Sequence, residues 1–101
     1  MESLQDIGKC CSRCAGWTAE VISYMPFGCI LRLSLTDQQG ETWVLSFSEC
    51  RSVSFRRGAV PLDLKHVELS DGYWVVSDEK AGFRIECREC FLLHEDDYLS
   101  G

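Results

Sequence analysis

The chain is poor in several things at once, and each shortage removes a class of function. It has two prolines and no glycine- or serine-rich tract, so no stretch is composed as a linker or extended tail, and a single domain over residues 1–101 is expected. A chain of this length can bury about two thirds of its unfolded surface, which makes a core possible without metal or disulfides. Bases are also scarce. Ten Lys and Arg stand against sixteen Asp and Glu, for a formal charge of −6, and neither half of the chain is a basic arm. Binding to phosphate backbones draws on clustered Lys and Arg, so nucleic acid and anionic membrane surfaces are poor partners, whereas a basic protein suits this charge.

Nothing approaches the roughly 18 continuous apolar residues of a membrane span. The segment Met1–Lys9 carries acids where a signal peptide needs bases and lacks an apolar run, so a cytoplasmic location is expected. The seven cysteines are then expected to be reduced thiols, since an odd count without an export signal does not make a disulfide framework.

Catalytic machinery is thin as well. Only His66 and His94 could serve a serine or cysteine nucleophile. His66 shares strand parity with Leu62, Leu64 and Glu68, and His94 precedes the acidic run Glu95–Asp97, so both are expected at the surface or an edge. There is no Gly-x-Ser-x-Gly elbow, and the glycines are scattered one to a turn instead of forming a phosphate loop. Glu49, Glu68, Glu86 and Glu89 could supply a carboxylate pair only if strands brought them together. Glu49 and Glu89 fall on the apolar parity of their strands, so each needs either a partner such as Arg51 or Arg88, or a bulge that turns it outward; the bulge is the simpler account.

What the chain does have is alternation. Cys29, Leu31, Leu33 and Leu35 alternate with Ile30, Arg32, Ser34 and Thr36, and Trp43, Leu45 and Phe47 alternate with Thr42, Val44 and Ser46. Joined by Asp37-Gln38-Gln39-Gly40, the two runs predict an antiparallel hairpin with its apolar residues on one face. Met25-Pro26-Phe27-Gly28 reads as a type I turn before it. Asp71-Gly72 and Asp78–Gly82 predict two further hairpins. The alternation fails near Glu49–Ser52, where a bulge or break is expected, and Pro61 suits an edge. Phe83 to Leu93 reads as one long final strand; Cys90 and Leu92 lie on its otherwise polar side, so a helix or a second subunit should cover its far end. Near the N-terminus, Ser3 with Asp6 resembles a capping box, and Leu4, Ile7, Cys11, Cys14 and Ala15 form one helical stripe ended by Gly16. The expected fold is α+β: an N-terminal helix on a mainly antiparallel meander of about six or seven strands, with a nearly all-β sandwich or barrel as the alternative.

Three features bear on function. Cys11-Ser-Arg-Cys14 and Cys87-Arg-Glu-Cys90 together resemble a four-cysteine zinc set, with Cys10 beside the first pair. Against zinc, a regular strand sends Cys87 and Cys90 to opposite faces and neither pair has a glycine knuckle, so the cysteines are expected to be small core residues and no cofactor is expected. Thiol chemistry at Cys11 and Cys14 would sit at the wrong end of its helix. Glu-Cys-Arg also occurs twice, at 49–51 and 86–88, too short a match to indicate duplication. Finally, Trp17, Tyr24, Phe27, Trp43, Tyr73 and Trp74 are many large rings for so small a sheet, and Tyr24, Met25 and Phe27 make an apolar loop tip.

The Asp/Gly turn followed by the strand end Leu45-Ser46-Phe47 resembles small β-rich bacterial immunity proteins over about a third of the chain. That resemblance carries no functional residue across. An inhibitor of a basic toxin, which the acidic charge would suit, is a special case of the general expectation. The general expectation is a non-catalytic protein acting through a protein partner or as a homo-oligomer, with Tyr24, Met25, Phe27, Cys90 and Leu92 as contact residues. The alternative is a zinc-binding or thiol-reactive protein using Cys11, Cys14, Cys87 and Cys90.

Overall fold

A computed structural model describes residues 3–4, 6–25, 29–56, 58, 60–64 and 66–100, with 3, 4, 60, 66 and 98–100 described by backbone alone. The chain runs β1 (Ser3–Leu4), α1 (Ile7–Arg13), β2 (Thr18–Met25), β3 (Ile30–Thr36), β4 (Thr42–Ser48), β5 (Ser52–Ser54), β6 (Val60–Pro61), β7 (His66–Ser70), β8 (Tyr73–Asp78), β9 (Phe83–Cys87), β10 (Glu89–His94) and α2 (Glu95–Ser100). These strands make two sheets in place of the single meander expected: one of order β1-β10-β4-β3-β2-β6 and one of order β5-β9-β8-β7. Every pairing is antiparallel, and neither sheet closes on itself. The fold is α+β with sheet dominant.

The predicted hairpins form for the predicted reasons. In the β3–β4 loop, Asp37 accepts from the N–H groups of Gln39 and Glu41 through Oδ1 and from Trp43 Nε1 through Oδ2. Its own N–H donates to the Glu41 carbonyl. Asp71 and Gly72 both take positive φ, 53° and 80°, as a two-residue type I′ turn requires. Asp78 closes the β8–β9 turn by accepting from Lys80 and Ala81 N–H. The turn expected at 25–28 lies, apart from Met25, outside the described residues.

The two sheets lay their inner faces together. Leu31, Leu33, Leu35, Leu45 and Phe47 of the larger sheet meet Val76, Phe83, Ile85 and Cys87 of the smaller in one core, with the Phe47 and Phe83 rings 6.0 Å apart. The helix is shorter than its stripe suggested. Asp6, not Ser3, is its N-cap, accepting from Lys9 N–H at 3.0 Å, because Ser3 and Leu4 are drawn into the ladder against Leu93 and Leu92. Ile7, Cys10, Cys11 and Cys14 are buried and Ala15 is exposed.

The stretch read as one long final strand is two strands in different sheets. Arg88 interrupts the ladder, so Phe83, Ile85 and Cys87 face the core in one sheet, and Cys90 and Leu92 face it in the other. The same happens on the partner strand at Glu49–Arg51, where Glu49 takes φ 53°. Since β4 pairs with β10 and β5 with β9, residues 42–54 and 84–94 form one two-stranded ribbon bent at a corner, and the two Glu-Cys-Arg tripeptides face each other at that corner. Arg51 N–H donates to the Glu86 carbonyl and Arg88 N–H to that of Ser48.

Candidate protein-contact surface

The chemistry-bearing residues fall into four places. The cysteines come first. α1 packs against β10, and with the corner bringing Cys87 and Cys90 to the same side, the two Cys-x-x-Cys pairs share one buried neighbourhood; the opposite-face argument fails because the strand between Cys87 and Cys90 is not regular. All seven cysteines are free thiols, and six are buried. Burial pushes Cys14 and Cys87 up to about 12 and Cys50 to about 11, and also raises Cys11. A hydrogen bond with the Cys10 side chain, then burial, raises Cys90. Cys10 Sγ donates to the Cys90 carbonyl at 3.9 Å. Among the described residues, no three His, Cys, Asp or Glu side chains are placed to hold a metal ion. The arrangement is a thiol-lined part of the core in which burial keeps Cys11, Cys14, Cys50 and Cys87 protonated, while the hydrogen bond with Cys90 lowers Cys10.

His94 lies at the far end of the ribbon. Its Nε2 is 3.2 Å from Glu41 Oε2, its Nδ1 accepts from Asp96 N–H, and its ring meets Trp43 edge-on at 5.0 Å. Trp43 in turn stacks on Trp17 at 5.6 Å and carries Arg13 over its face. These contacts order the strand end, and among the described residues no serine or cysteine is one of the partners. His66 is described by backbone alone. Glu49 and Glu89 are both exposed, as the bulge account expected, with Glu89 Oε2 accepting from Ser48 Oγ at 3.3 Å.

A cleft of about 620 Å³ opens between the β8–β9 turn and the segment leading from β6, lined by Arg56, Leu62, Asp63, Asp78, Lys80 and Ala81 among others. One of its carboxylates is already engaged: Asp78 Oδ2 accepts from Asp63 N–H at 2.7 Å while Oδ1 holds the turn.

The expected contact residues separate. Cys90 and Leu92 are 1% and 0% exposed, packed into the core under α1, so they are not presented to a partner; the cover their strand needed comes from the chain's own helix. Phe27 lies outside the described residues. Tyr24 and Met25 do reach solvent, at 44% and 39%, and Ile22, which the strand pattern did not single out, is 50% exposed. A bulge between Val21 and Ser23 lifts Ile22 out of the ladder, and a single-residue irregularity leaves no signature in the sequence. These three are joined only by Leu69, on the outer strand β7 of the other sheet, as exposed large apolar residues among those described.

Their strand is also an open edge. β6 pairs with Thr18 and Ala19 alone, so from Val21 to Met25 the side of β2 away from β3 faces no strand among the described residues. Tyr24 is braced edge-on against Phe55, ring centroids 6.2 Å apart. An edge that faces no strand among the described residues, exposed apolar side chains and a braced ring thus coincide over five residues. Compared with known proteins, the chain matches no family model, no curated protein and no solved structure. Function therefore rests on this geometry.

Proposed function

We propose that this protein is a non-catalytic module that binds an extended, positively charged segment of a partner protein along the open edge of β2. The observation that carries it is the coincidence, at Val21–Met25, of an unpaired strand edge with Ile22, Tyr24 and Met25 exposed. Strand addition takes its affinity from main-chain hydrogen bonds and its specificity from alternate side chains, and both are on offer here. The formal charge of −6 and the exposed Glu20 on the same strand favour a basic occupant and a salt-sensitive encounter. Inhibition of a basic toxin is a special case of the same contact. The bulge at Ile22 guards against open-ended stacking of like edges, which weighs against a second copy as occupant.

A photo-crosslinking amino acid placed at position 22 or 25, with position 54 as a control on the other sheet, tests the proposal. The expected product is one basic protein joined through an extended segment to positions 22 and 25, not to 54, and lost in Ile22→Lys and Met25→Lys. Equal crosslinking at all three positions, or recovery of free monomer alone, would overturn it.

A further inference from the structure

The corner of the ribbon brings together three of the chain's ten Lys and Arg residues, none of them part of the β2 edge. On the outer face of the smaller sheet, Arg51 Nη2 and Arg84 Nη1 each lie 2.7 Å from a different oxygen of Glu86, and Arg51 Nε also donates to Glu86 Oε1 at 2.9 Å. Tyr73 is held between two guanidiniums, with Arg51 4.3 Å and Arg88 4.7 Å from its ring centroid. Three arginines thus surround one carboxylate and one ring. Glu86 takes only part of what they offer: each guanidinium has five donors, Arg84 is 52% and Arg51 35% exposed, and Arg88 is an exposed residue stacked on Tyr73. Stacking on Tyr73 and pairing with Glu86 fix the guanidinium planes, so little side-chain freedom remains to be lost when a second anion arrives. Glu49 and Glu89 border the corner, so it is not a general anion sink; it selects by geometry.

We infer that this corner is a docking site for an acidic peptide segment of a partner protein, read by Arg84 and Arg88 with Arg51 and Tyr73 as the rigid platform. Planar, paired guanidiniums match carboxylates two donors at a time, and Arg with Tyr is the composition of interface hot spots. In an otherwise acidic chain the corner offers such a segment three arginine side chains held close to one another. The site shares no residue with the β2 edge, so either can fail without the other.

The test uses the full chain and a fluorescein-labelled hexaglutamate peptide followed by anisotropy at low salt. Expected is saturable binding that the hexaglutamine counterpart does not show, and that weakens as salt rises from about 50 to about 300 mM. Arg84→Gln and Arg88→Gln should each weaken binding about ten-fold, the scale of a lost charge-assisted hydrogen bond, while Lys9→Gln leaves it unchanged. Glu86→Gln is the decisive second variant: its amide oxygen can still accept from an arginine and keep the platform ordered while the competing charge is gone, so binding should tighten, which a patch with a purely structural role would not show. Equal binding of hexaglutamine, no change in the arginine variants, or competition by inorganic phosphate as effective as by the peptide would each overturn the inference. So would salt-sensitive dimerisation abolished by Arg88→Gln without peptide binding, which assigns the corner to a second copy.

Discussion

At the scale of single residues, two carboxylates tie charge to fold. The side chains of Arg84 and then Arg51 hold Glu86 below its ordinary value of 4.5. For Asp37, burial works against the charge, but hydrogen bonds from Glu41 N–H, Trp43 Nε1 and Gln39 N–H outweigh it and also lower the carboxyl. Groups depressed on folding stabilise the native state in full above their unfolded value, and that contribution is lost as the pH falls through the folded one. Urea midpoints should therefore be flat near neutrality and decline below about pH 4.5, and Glu86→Gln should make the decline shallower; an unchanged acid limb would contradict the pairing. The thiols give a second prediction. With six cysteines buried and Cys29 half-buried, a thiol reagent at pH 8 should label one position quickly, and Cys29→Ser should abolish that phase. Fast labelling of Cys11 or Cys14 would contradict the burial. That cysteine serves here as a core residue was legible in the sequence; that Cys87 and Cys90 reach the same core was not, because it depends on a break at Arg88.

Elements were legible where a local rule governs them. Asp37–Gly40, Asp71-Gly72 and Asp78–Gly82 announce their hairpins through residues that bond their own backbone or accept positive φ. The Leu31, Leu33, Leu35 and Leu45, Phe47 alternations give the inner face of the larger sheet directly. Leu45 is fully buried, and Leu45→Ala should cost about 2–5 kcal/mol in chemical denaturation. Corners are harder. The parity failure near Glu49 is visible in the sequence, whereas at Arg88 a polar residue replaces a polar residue and the slip shows only as apolar side chains changing sides. The two Glu-Cys-Arg tripeptides mark both halves of the bend, yet nothing in three residues says that they face each other. Glu49 at φ 53° holds a conformation that costs a non-glycine residue about 1 kcal/mol, so Glu49→Gly should stabilise the fold by up to that amount, measured by thermal or urea unfolding. Destabilisation would mean that the Glu49 side chain carries a contact of its own.

At the scale of the whole molecule, the acidic charge was open to view from composition, but the proposed contact surface was only half visible. Tyr24 and Met25 stood out as apolar residues beside a turn. The edge that gives them meaning faces no strand because, among the described residues, β6 pairs only with Thr18 and Ala19, a matter of tertiary packing with no local signal. Hydrogen exchange tests the central claim most directly. In the free protein, the amides of Val21–Met25 that do not bond to β3 should exchange fast, and in complex with the crosslinked basic partner they should slow while those of β7 do not. Unchanged exchange along β2, with protection appearing elsewhere on the surface, would contradict the account.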